Sequence, residues 1–91
     1  MLKPSFTKQF HKDLKRMLKR GKDEKKIKDV MRRLIEEKPL EPKHRDHKLI
    51  GEYVGSRDCH VEPDWVLIYT LFPKHIEIRF ERTGSHSDLF R

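Results

Sequence analysis

His47, His60 and His86, with Asp64, are the residues of this chain best suited to moving protons. They sit in three short motifs: Asp46-His47-Lys48-Leu49, Arg57-Asp58-Cys59-His60-Val61-Glu62-Pro63-Asp64-Trp65 and Gly84-Ser85-His86-Ser87-Asp88-Leu89-Phe90. An unperturbed imidazole titrates at about 6.5, so it can give or take a proton near neutrality. Metal-free cleavage of an RNA strand needs such groups. A base takes the 2′-hydroxyl proton, an acid protonates the departing 5′-oxygen, and cations meet the charge growing on the phosphoryl oxygens. The histidines are candidates for the first two roles, and Asp64 can orient or charge a histidine. Lys48, Arg57, Arg79 and Arg82 are candidates for the third. Phe90 offers a flat face for a base, a contact worth about 1–3 kcal/mol in other systems. Each residue also has a plain structural use. His47 suits a loop, His60 a strand, Asp64 a turn after proline, and Phe90 a core plug.

Other chemistries find less support. His44-Arg45-Asp46-His47 has a His-x-x-His spacing, but there is no His-Glu-x-x-His helix and no cysteine pair. The four glycines are too scattered for a phosphate loop. No metal or cofactor is therefore expected. Cys59 stands alone, so no disulfide can close within the chain, which suits a reducing compartment.

The elements that must position these groups follow from periodicity. Phe6, Phe10, Leu14, Met17 and Leu18 make one stripe of a helix, with Ser5 or Thr7 as cap and Gly21 as stop. Asp23 caps a second helix with the stripe Ile27, Val30, Met31, Leu34 and Ile35, ended by Pro39 and Pro42. The short connection makes the two an antiparallel hairpin. Residues 39–51 read as a loop. Tyr53 to Val61 reads as a strand with Gly55 as a bulge or bend. After the turn at Glu62-Pro63-Asp64, residues 65–72 are apolar on both parities, as in a central strand covered on both faces. Pro73-Lys74-His75 turns the chain. Ile76, Ile78 and Phe80 then alternate with charged residues as a half-buried strand, broken at Thr83-Gly84-Ser85 before a short terminal turn. Helix, helix, then an antiparallel meander is an α+β domain: a helix hairpin packed on a small, mainly antiparallel twisted sheet.

With 91 residues, of which 34% are hydrophobic and 41% charged, the chain has room for one small core and so for one domain, residues 1–91. The net charge of +7 is uneven. Residues 1–38 hold 14 Lys/Arg against six Asp/Glu, whereas residues 39–91 hold eight against nine. A basic half fits a polyanion or an acidic protein, or simply a solvated face. Nothing approaches the roughly 20 apolar residues of a membrane span, and no signal-peptide core is visible, so no membrane is expected and cytoplasm is the default.

The motifs together resemble the YafQ-type branch of the RelE-like bacterial toxins. The match runs through Asp46-His47-Lys48-Leu49 with Gly51, Arg57 to Trp65 leading into Leu67-Ile68-Tyr69, and Phe80-Glu81-Arg82-Thr83-Gly84-Ser85-His86 with Leu89-Phe90. The helical half matches only in type and spacing. The resemblance implies a RelE-like microbial RNase fold. It implies a ribosome-dependent, metal-independent endoribonuclease that cuts mRNA in the A site and stops translation. It implies an acidic antitoxin as partner, and contact with operator DNA only through that complex. The family's active-site set falls on His47, His60, Asp64, His86 and Phe90, with Lys48, Arg57, Trp65, Arg79 and Arg82 as RNA contacts. The competing expectation is a non-catalytic nucleic-acid- or protein-binding module using the basic helices.

Overall fold

The computed structural model describes residues 1–49 and 55–90. Gly51 and Tyr53 of the sequence reading lie outside the described residues. The chain runs β1 (Lys3–Phe6), α1 (Lys8–Lys19), α2 (Glu24–Ile35), β2 (His47–Lys48), β3 (Arg57–Glu62), β4 (Trp65–Phe72), β5 (Glu77–Gly84) and α3 (His86–Leu89). Single 3₁₀ turns occupy Pro42–His44 and Pro73–His75. The strands form one mixed sheet in the order β1-β5-β4-β3-β2.

The helices begin and end for local reasons. Thr7 caps α1, its hydroxyl accepting from the Phe10 N–H, and Asp23 caps α2, accepting from Lys25. Gly21 takes φ +91° just past α1, where a side chain would be strained. α2 ends before either proline is reached, at Glu36, and Glu37 turns the chain with φ +59°. Phe10 and Met17 of α1 and Ile27, Val30, Met31 and Leu34 of α2 enter one core with Cys59, Val61, Trp65, Leu67, Tyr69, Ile78 and Phe80 of the sheet. A smaller cluster, Val66, Ile68 and Leu89 with Leu49 against it, covers the other face of β4. That strand is thus central and apolar on both sides, as its composition predicts.

The N-terminus departs from the sequence reading. Phe6 belongs to β1, not to the first helical stripe, and Ser5 bonds Glu77 rather than capping a helix. β1 pairs in parallel with β5, from Lys3 opposite Glu77 to Phe6 opposite Phe80. The other three pairings are antiparallel. Pro4 is tolerated because β1 is an edge strand. Ile76 is the second departure: it is exposed with φ +51°, outside β5.

Candidate active site

β3 presents Asp58 and His60 on one face, because side chains two apart in a strand point the same way. Cys59 and Val61 point to the other face, into the helix-covered core. A shift in register between His60 and Glu62 then lets the chain turn through Pro63 and Asp64. On one flank, β2 sets His47 opposite Asp58. On the other, α3 brings His86 and Phe90 over the same face. α3 is only one turn long, but a capping box fixes it: Ser85 Oγ accepts from the Asp88 N–H and the Asp88 carboxylate accepts from the Ser85 N–H. Arg20, at the C-cap of α1, grips Asp88 at 2.6 Å and 3.1 Å, and this holds the Asp88 carboxyl well below the usual range.

Four of the five expected residues converge directly. The His60 and His86 rings meet edge to face with centroids 5.2 Å apart, and Phe90 lies 6.1 Å beyond His86. Asp64 Oδ1 accepts from the His86 backbone N–H at 2.9 Å and stands 2.6 Å from His86 Nδ1. An ionised carboxylate only accepts, so Nδ1 carries the hydrogen and Nε2 is left to exchange protons. These two bonds draw the Asp64 carboxyl below its ordinary value. His60 is lowered, chiefly by burial, so the neutral imidazole is favoured. The His60 carbonyl accepts from His44 Nδ1 at 2.6 Å, which places His44 behind the site rather than in it.

His47, the fifth, is tied in through Asp58. Its Nδ1 lies 2.6 Å from the Arg45 carbonyl oxygen, an acceptor, so that nitrogen also carries hydrogen. Its Nε2 lies 2.9 Å from Asp58 Oδ1. The approach is not aligned as a hydrogen bond, and among the described residues that buried oxygen has none. Burial pushes the Asp58 carboxyl up, against the pull of His47, His60 and His86. Asp58 was not singled out in the sequence, although its parity with His60 carried the signal.

The expected RNA contacts are mostly engaged elsewhere. Trp65 is fully buried, with Nε1 donating to Thr83 Oγ1 at 2.9 Å, so the expectation that it touches RNA is corrected: it is core. Arg57 faces away from the histidines and donates to Asp46 and to the Tyr69 hydroxyl. Arg79 lies over the Phe72 ring and pairs with Glu81 at 2.9 Å. Arg82 reaches the buried Asp13 at 2.7 Å. Lys48 is exposed beside His47 on β2. No group of three or more potential metal ligands occurs among the described residues.

A buried carboxyl ringed by three histidines, on a sheet backed by basic helices, defines a small acid–base site. Residues 2–91 match the family described as bacterial toxin of type II toxin-antitoxin system, YafQ. The chain is 49% identical over 86 residues to the mRNA interferase toxin YafQ of Escherichia coli K12, covering 93% of this chain and 91% of that one. The E. coli DinJ-YafQ toxin-antitoxin complex contains a chain 46% identical with a TM-score of 0.89, covering 99% of this chain and 98% of that one. A metal-bound toxin from Helicobacter pylori superimposes with a TM-score of 0.93 at 41% identity, over 99% of this chain and all of that one. The chain belongs to the YafQ family of toxins.

Proposed function

We propose that the protein is the toxin of a type II toxin–antitoxin system, an endoribonuclease that cleaves mRNA in the ribosomal A site without a metal. The observation that carries this reading is the His60–His86 pair at 5.2 Å, with Asp64 fixing the His86 tautomer. Neutral His60 takes the proton of the 2′-hydroxyl. The freed oxygen attacks the adjacent phosphorus, and the bond to the 5′-oxygen breaks as His86 Nε2 delivers a proton to it. His47, 2.9 Å from Asp58, completes the polar surround of the phosphoryl oxygens. Phe90 stacks on a base and Lys48 meets a phosphate. The fold is of the RelE-like microbial RNase kind, with α1 and α2 as an antiparallel hairpin.

The ribosome is engaged by α1. Lys8, Lys12, Lys15 and Lys19 recur at helical spacing on one exposed face and make no ion pair among the described residues. On α2, by contrast, Lys26 is held by Glu62, Lys28 by Glu24 and Arg32 by Asp29. Free cations release counterions on binding phosphate, whereas paired ones must first break their bridges. An acidic antitoxin, DinJ-like, covers the basic surface and carries the complex to operator DNA. The cytoplasm is the site of action.

The test is cleavage of an mRNA on purified 70S ribosomes in chelator, comparing wild type with His86→Ala. The wild type is expected to cut at defined codons only when ribosomes are present, and the variant to be slower by about 10²–10⁴. Equal rates for the two proteins would remove His86 from the chemistry. Absence of wild-type cutting would leave a binding module acting through α1.

A further inference from the structure

His47 stands on a two-residue edge strand, opposite Asp58, with Lys48 opposite Arg57 and one further bond from the Leu49 N–H to the Ser56 carbonyl. So short a ladder holds a ring weakly, and Arg45, two residues before it, is in the left-handed region with φ +45°. Yet the ring must keep Nδ1 on the Arg45 carbonyl and Nε2 against Asp58. What fixes this segment lies on the other face of the sheet. The hydroxyl of Tyr69 donates to Asp46 Oδ1 at 2.5 Å, and Arg57 Nε approaches both Asp46 Oδ1 and the Tyr69 hydroxyl at 3.3 Å.

We propose that Tyr69, Asp46 and Arg57 form a clamp that orients His47, making Tyr69 and Asp46 positioning residues for strand cleavage. The inference rests on the reading of His47 as a member of the reacting cluster. Tyr69 is a rigid anchor. Its ring is 2% exposed, wedged in the core of β4 opposite Arg57. Burial and the Asp46 carboxylate push its phenol far up, so the hydroxyl remains a donor across the working range. Asp46 is bonded to His47 through one peptide unit, so pinning its carboxylate fixes the backbone from which the imidazole projects. The Arg57 guanidinium adds charge to the same oxygen. The clamp thus carries the rigidity of the central strand to the edge strand, and it explains why Arg57 points away from the histidines.

Tyr69→Phe removes the hydroxyl and keeps the ring. In protein labelled with ¹⁵N at histidine, this variant is expected to shift the His47 ring-nitrogen signals and leave those of His86 in place. In single-turnover cleavage on 70S ribosomes it is expected to lower the rate constant about 10- to 100-fold at saturating ribosomes, with half-saturation unchanged. Added to His47→Ala it should cost nothing further, because the clamp acts through that ring. Asp46→Asn, which keeps an acceptor, should retain more activity than Asp46→Leu. Equal losses from Tyr69→Phe with and without His47 would overturn the clamp, and so would unmoved His47 signals. If all histidine signals collapse in Tyr69→Phe, Asp46→Leu, which removes the acceptor at a half-exposed position, takes its place under the same criteria. A His47→Ala protein that cleaves like wild type would sink the underlying reading of His47 and the clamp's role in cleavage with it. The ring-nitrogen signals would still separate that failure from a missing clamp.

Discussion

The two histidine–carboxylate pairs look alike in sequence and differ in physics. Asp64 is 68% exposed and meets His86 with two aligned hydrogen bonds, so it is a well-solvated carboxylate that selects a tautomer. The Asp58 side chain is 5% exposed and meets His47 out of line, so it is a poorly solvated carboxyl whose charged form is disfavoured. Burial moves Asp58 up, while hydrogen bonds move Asp64 down. The same two residue types thus yield a solvated, orienting pair in one place and a desolvated pair in the other.

Isosteric amides should separate the two. Asp58→Asn is expected to lower cleavage about 10- to 100-fold, since it removes the buried carboxyl that acts on all three histidines. Asp64→Asn should cost only a few-fold, because its amide oxygen still accepts both bonds from His86 and the lost charge is screened by water. Rate constants at saturating ribosomes measure both. The reverse order would mean that the exposed carboxylate, not the buried carboxyl, matters more to catalysis.

A smaller effect sharpens the same contrast. His60 titrates below the ordinary imidazole value, so the acid limb of the pH–rate profile should fall below about 6.5. Asp58 is the larger of the charges acting on His60, and it raises its affinity for protons. Asp58→Asn should therefore shift that limb to still lower pH, while Asp64→Asn should leave it in place. The linkage to folding has a definite sign. Folding favours neutral His60, so this contribution is complete above the unfolded value near 6.5 and shrinks as pH falls through it. A limb at or above 6.5 would mean that His60 is not the base.

How far the sequence discloses this arrangement depends on the reach of each interaction. Thr7, Gly21 and Asp23 act within one helical turn, and the apolar run of β4 declares a doubly covered strand. β1 escapes because four residues containing Pro4 carry almost no strand signal; its place is set by β5, more than 70 residues away. His47, His60, Asp64, His86 and Phe90 are visible as chemistry-bearing types. Their meeting depends on the register of β2 with β3 and on the placement of α3. Asp58 shows only once strand parity is applied to His60. Trp65 and the arginines mislead because residue type discloses neither burial nor a partner: Asp13, which takes Arg82, is completely buried in a helix otherwise rich in lysine.

The latch between Arg20 and Asp88 joins residues 68 apart, and β1 closes on β5 across a still longer separation. No contiguous stretch of the chain carries the site. A peptide holding every histidine from His44 onward would lack the arginine that seats α3 and the helix that backs the sheet. The site is therefore assembled in the same cooperative step as the fold, and a chain that has not closed β1 on β5 and Arg20 on Asp88 lacks it.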